Sequence, residues 1–218
     1  FGRTHVLLAG APSGPPLIIV HGGNGDAVQM AVAYLGFAER HRCVFVDVPG
    51  EPNRSEGPRI PRGDDSLAQW MGEVLEGLEL GGPLSMLGMS AGAYVVLRSA
   101  MGLGDRVRRV VALVPEGFCE LAPIPAPTPA NAGAFVESIT APESGFPAIV
   151  LQRMVEAMAR AFGALREPME LGPLFTAADF EGFETPVLVV AGGRDVLFPI
   201  EELSARVQAL IPNLADLL

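Results

Sequence analysis

The chain has 218 residues, 49% hydrophobic and 18% charged, which is the composition of a globular protein with a sizeable core and not of a disordered segment. Fifteen basic against 25 acidic residues leave a net charge of −10, and this argues against nucleic acid or an anionic membrane as a partner, because both reward clustered Lys and Arg. No run approaches the ~18 unbroken apolar residues of a membrane span.

Short apolar runs alternate with longer helical patterns, the signature of an α/β protein with a mostly parallel sheet and helices on both faces. Strands are expected over residues 5–9, 17–20, 43–48, 84–87, 107–114 and 186–191. Continuous runs such as LIIV, VVALV and VLVV suit strands buried on both faces. Helices are expected over 27–39, with Asp26 as N-cap, and over 67–80. In the second, Leu67, Trp70, Met71, Val74, Leu75 and Leu78 recur at helical spacing, and Ser66 with Gln69 reads as a capping box. Further helices are expected over 91–101 and 201–210. Residues 115–172 break the alternation: 121–129 (LAPIPAPTP) reads as extended or loop-like, and 147–165 as one amphipathic helix. The whole chain, 1–218, is expected to be one domain with 115–172 as a lid or binding insertion within it. From that helix, Met154, Met158 and Phe162 are candidate pocket-lining residues.

Cys43 and Cys119 form neither a disulfide framework nor a metal site and read as buried, inert thiols. No basic–apolar–small leader opens the chain, so a cytoplasmic protein is expected. The chain begins at Phe1 without Met, and residues missing at one or both ends are expected.

Three motifs carry chemistry. Residues 88–92 (GMSAG) match G-x-S-x-G after an apolar strand and before a helix. Small neighbours let Ser90 stand clear of the sheet in a strained turn, and the helix start behind it offers N–H groups to a developing oxyanion. Residues 21–25 (HGGNG) follow LIIV. Such a glycine-rich loop brings a backbone N–H close to the site, with Gly23 the first choice and Asn24 the second for an oxyanion donor beside the N–H of Ala91. Neither G-x-G-x-x-G nor G-K-[ST] is present, so a nucleotide site is not expected. Asp195, in 192–199 (GGRDVLFP) after VLVV, stands where a carboxylate would orient a histidine; Glu116, in VPEGF, is the fallback acid.

In order and placement these motifs resemble the α/β-hydrolase family from about residue 5 to the end. The segment 46–50 (VDVPG) resembles a family loop in which the aspartate is structural, and Asp47 is read so. The resemblance implies a carboxylesterase-like serine hydrolase without cofactor or metal, attacking a small-molecule ester, thioester or related acyl substrate through Ser90. It also implies a histidine base in the loop after the last strand. The chain has three histidines, and none fits: His41 lies at the wrong end of the sheet, His5 away from the site, and His21 supports its loop. The last strand is expected to begin at Leu218, with the base beyond it. Three alternatives stay open: a ligand-binding relative without turnover, an enzyme with an unusual base drawn from elsewhere, and a haloperoxidase, carbon–carbon hydrolase or acyltransferase on the same motifs.

Overall fold

A computed structural model describes residues 1–123, 128–140, 142–165 and 170–218. Seven strands form one sheet: β1 (Val6–Ala9), β2 (Pro16–Val20), β3 (Arg42–Val46), β4 (Leu84–Met89), β5 (Val107–Leu113), β6 (Val187–Val190) and β7 (Leu214–Leu217), in the order β1-β3-β2-β4-β5-β6-β7. β1 runs antiparallel to β3, and every other pair is parallel. The chain starts at the edge with β1, skips one place to β2, steps back outward to β3 between them, then crosses over β2 to β4 and winds the other way. Strand order therefore reverses between β2 and β4, where a crevice opens at the carboxyl ends of a parallel sheet.

Alternation along each strand splits the apolar residues between two layers. Ile18, Val20, Val44, Val46 and Met86 join the larger core, under helices α2 (Ser66–Gly77), α3 (Ala91–Leu103) and α6 (Ile200–Leu210). Leu17, Ile19, Cys43, Phe45 and Leu87 face α1 (Ala27–Tyr34) on the opposite side. The expected helices on both faces are there. Between β5 and β6 lie α4 (Ala132–Ile139) and α5 (Ala148–Ala164), which pack on each other, partly through an edge-on Phe135–Phe162 contact.

Several expected boundaries shift. The 27–39 helix is α-helical only to Tyr34 and tightens to 3₁₀ over Leu35–Glu39; Asp26 caps it, accepting from Gln29 N at 2.8 Å. The Ser66–Gln69 capping box does not form. Ser66 is already helical, the N-cap is Asp65 without a side-chain bond, and Ser66 N donates to Asp64 Oδ1. A Ser two residues after an Asp is read as a cap from sequence, but the earlier carboxylate reaches the N–H first. The strand expected at 43–48 ends at Val46, because Asp47 and Val48 turn their backbones to His5 O and the His21 ring. α4 had no counterpart in the sequence reading. Its eight residues are too few for a periodic pattern to stand out. Of the segment 121–129, residues 124–127 lie outside the described residues, and Pro129 starts a 3₁₀ turn, Pro129–Asn131, instead of remaining extended. The last strand starts at Leu214, four residues before the expected point. Leu214 is separated from Leu210 by Ile211-Pro212-Asn213, and Val187 N donates to Asn213 O, so pairing begins directly after the turn. Both cysteines are free and buried, and burial pushes the Cys119 thiol up to about 11. Among the described residues no helix is long and apolar enough to cross a membrane.

Candidate active site

Ser90 sits at the carboxyl end of β4, with φ 53° and ψ −118°, a backbone region that L-residues rarely occupy. The strain is held by bonds on both sides. Ser90 N donates to Leu113 O of β5 at 2.8 Å, and Ser90 O accepts from Ala93 N at 2.9 Å in the first turn of α3. The flanking glycines are steric requirements. A Cβ on Gly88 would lie 2.2 Å from Gly92 O, and one on Gly92 would lie 2.3 Å from His21 O. The turn thus brings strand, helix and glycine-rich loop closer together than any side chain permits.

Ser90 lines a cleft of about 610 Å³, counting the solvent at its mouth. Gly23 and Ala91 line the same cleft, and among the described residues neither of their N–H groups has a hydrogen-bond partner. Ala91 N–H is one of the orphan donors at the start of α3. Asn24 departs from expectation: its N–H donates to Glu51 Oε2 at 3.1 Å and is not available to an oxyanion. Asn24 takes φ 59° in a turn closed by Gly25 N donating to Gly22 O at 3.0 Å, and its N–H points to Glu51 in the loop that follows β3.

His21 is buried, and its ring is fully committed. Nε2 accepts from Val48 N at 3.0 Å and lies 3.2 Å from Asn53 Nδ2, so the ring proton is on Nδ1, which donates to Gly22 O at 2.8 Å. A ring with its only lone pair used for a backbone N–H is a loop support. His5 pairs with Asp47 at 2.7 Å, and the buried Asp47 carboxylate also holds Ala27 N and Arg54 N, a structural role as expected. His41 precedes β3 at the amino end of the sheet. None of the three lines the cleft.

Asp195 stands in the turn after β6, half-buried. Its Oδ1 accepts from Leu197 N at 2.7 Å and Phe198 N at 3.1 Å, and Oδ2 takes no hydrogen bond among the described residues. The carboxylate is therefore oriented at one oxygen and open at the other. Leu197 and Phe198 line the cleft, whereas Asp195 is not among its lining residues. Ala191 N donates to Leu218 O, so Leu218 ends at this same corner of the sheet.

Glu116, the fallback acid, is buried and engaged elsewhere. Its Oε1 accepts from Arg62 Nη1 at 2.9 Å and from Gly172 N at 2.7 Å. Burial pushes its carboxyl above the usual range, and the neighbouring guanidinium only partly offsets this. Arg62 Nη2 lies 3.5 Å from Glu51 Oε1, completing a Glu51–Arg62–Glu116 row along one wall. The sequence reading missed Glu51 and Arg62, which sit in an irregular loop without a motif. Much of the remaining lining is apolar, with Phe135 from α4, Phe162 from α5, Leu121, Leu171, Leu197 and Phe198, beside the polar Asn24 and Glu170. Of the three lining candidates from α5, Phe162 faces the cleft; Met154 and Met158 are not among its lining residues. No group of three or more His, Cys, Asp or Glu able to hold a metal occurs among the described residues.

Comparisons with known proteins agree with this architecture. The model of the Alpha/beta hydrolase family matches residues 17–215. Carboxylesterase YbfK of Bacillus subtilis (strain 168) is 24% identical over 225 residues, covering 98% of this chain and 75% of its own length. The crystal structure of that carboxylesterase, CesB (YbfK), superposes with a TM-score of 0.82 over 100% of this chain and 80% of the other. Naproxen esterase (carboxylesterase NP) from Bacillus subtilis superposes at 0.80 with 20% identity, over the same shares. With a family match across most of its length and a serine turn at the strand-order reversal, the chain belongs to the alpha/beta hydrolase family.

Proposed function

We propose that this protein is a serine esterase that hydrolyses small-molecule carboxylic esters with an apolar acyl or aryl group. One observation carries the reading: Ser90, strained at φ 53°, shares its cleft with two partnerless N–H groups, of Gly23 and Ala91. In this reading Ser90 Oγ attacks the ester carbon, the carbonyl oxygen becomes an oxyanion against the two N–H groups, and the alcohol leaves. Water then attacks the acyl-enzyme and releases the acid. Each such donor contributes ~2.7–4 kcal/mol to lowering the barrier.

The serine proton must pass to a base. Asp195 is suited to orient a histidine, since Oδ2 is open and Oδ1 is fixed by two backbone N–H groups. A histidine following Leu218 would start from the same corner of the sheet. The apolar wall built by Phe135, Phe162 and Phe198 favours an aromatic or branched apolar substrate group, with α4 and α5 acting as a cap. The relatives named as carboxylesterases support the same chemistry.

Labelling of the full-length protein with a fluorophosphonate probe tests this, alongside Ser90→Ala. Labelling abolished in the variant, together with release of p-nitrophenol from p-nitrophenyl butyrate, is the expected result. A folded full-length protein that takes no label refutes the enzyme reading and leaves a ligand-binding member of the fold.

A further inference from the structure

We infer that Arg62 is the positioning residue of this site, coupling the glycine-rich loop to the helical insertion so that the oxyanion donor and the cleft roof are set together. The inference rests on the esterase reading for its kinetic consequence but not for its structural one.

Arg62 belongs to the irregular stretch between β3 and α2, yet its side chain is only 9% exposed. One guanidinium nitrogen donates to Glu116 and the other faces Glu51. Each carboxylate spends an oxygen on a backbone N–H in a different part of the molecule. Glu51 Oε2 holds Asn24 N, next to Gly23; Glu116 Oε1 holds Gly172 N, where the insertion returns to the body of the fold. A third link runs from the same residue, as Arg62 O accepts from Tyr94 Oη at 2.9 Å on α3, the helix whose first residue is Ala91. Gly172 rests directly on the Tyr94 ring, where a Cβ would lie 2.4 Å from Cζ. One arginine thus touches, through one intermediary each, the loop of the first oxyanion donor, the helix of the second and, at Gly172, the segment that follows the insertion.

Two carboxylates around one guanidinium in a buried place require the cation. Removing it leaves two buried carboxylates facing each other uncompensated, so at least one takes up a proton or turns to water, and the amide it holds as a charged acceptor is weakened or released. Asn24 has a positive φ inside a turn closed by Gly25 N donating to Gly22 O at 3.0 Å, and its N–H···Glu51 bond ties that turn, with Gly23 in it, to the loop that carries Glu51. Lysine cannot replace the arginine: its point charge lacks the fork that meets both carboxylates.

The test uses Arg62→Met and Arg62→Lys in the full chain, with two readouts. Hydrogen exchange of the Asn24 and Gly172 amides is followed by NMR, and the phosphonylation rate constant and probe affinity are separated with a fluorophosphonate series. In Arg62→Met both amides exchange at least 10-fold faster while the centres of β2 and β4 keep their protection; maximal phosphonylation falls 10-fold or more with probe affinity within threefold. In Arg62→Lys one amide stays protected and the other does not. Both amides retaining wild-type protection in either folded variant, or exchange rising uniformly across the sheet, overturns the inference. If Arg62→Met does not fold, the lysine variant decides alone. If wild type takes no label, the esterase reading fails, and the exchange data still decide whether Arg62 couples the two segments.

Discussion

Gly88→Ala is the sharpest perturbation of the Ser90 turn. An alanine Cβ there would stand 2.2 Å from Gly92 O, 2.4 Å from Gly92 C and 2.6 Å from Ala93 N. Ordinary contact starts at 3.4 Å, so β4 and the first turn of α3 must separate by about 1.2 Å. All three obstructing atoms are backbone, so no side chain can rotate away. Overpacking of this kind costs ~1–3 kcal/mol where side chains yield, and a clash confined to backbone belongs at the top of that range or above it. The shift acts directly on Ser90 and Ala91, and a displacement of ~1 Å in a reacting group costs ~10²-fold in rate. Urea unfolding is therefore expected to show a loss of ~3 kcal/mol or more, and fluorophosphonate labelling a ~10²-fold slower rate. Gly82→Ala is the control: nothing lies within 4 Å of its Cβ, and a change below ~0.5 kcal/mol is expected. A Gly88→Ala protein with wild-type stability and labelling rate would refute the claim that the close approach of strand and helix builds the turn.

Three further outcomes are expected. Ser90→Gly should be more stable than Ser90→Ala by about 1 kcal/mol, because glycine relieves the positive-φ strain of ~1–3 kcal/mol at a smaller unfolded-state cost; equal urea midpoints would show that the turn is not strained. Asp195→Asn keeps an acceptor for the Leu197 and Phe198 N–H groups, so stability should hold while labelling slows ~10²-fold or more, the lost charge no longer favouring a protonated histidine; unchanged labelling would remove Asp195 from the mechanism. For Glu116→Gln the expected effect depends on pH. The native carboxyl is raised by burial above its ordinary 4.5, so the folded state holds this proton more tightly than the unfolded state, and wild-type stability is progressively lost as pH rises from 4.5 through the raised value. Glutamine removes that slope, so its stability relative to wild type should improve from pH 4 to pH 8; a pH-independent difference in denaturant midpoint would contradict it.

Ser90, Gly88 and Gly92 were legible because the turn is local: three residues within five positions encode a strained backbone, and no distant partner is needed to recognise it. The place of Gly23 and Ala91 at the cleft followed from the same logic, as glycine and helix-start positions next to strand ends. Asn24 misled because its neighbours in sequence do not reveal where its N–H points. The acceptor is Glu51, 27 positions away. The role of Glu116 was hidden for the same reason, since its partners Arg62 and Gly172 are 54 and 56 positions away. The capping box at Ser66 failed at shorter range, where Asp64 competed for the same N–H.

The sequence by itself determined the layered α/β class, most of the strands, and the loops that could carry a nucleophile and its acid. Apolar periodicity and glycine spacing are local quantities, and burial on two faces leaves its mark in the inner strands β2, β3 and β4. Tertiary structure alone decided that His21 is spent on Val48 and Gly22, that Asn24 answers to Glu51, and that Arg62 joins the loop, α3 and the insertion along one wall. The physical reason is that buried polar groups must find partners wherever the chain brings them. Which partners those are depends on segments that meet only after the sheet has assembled.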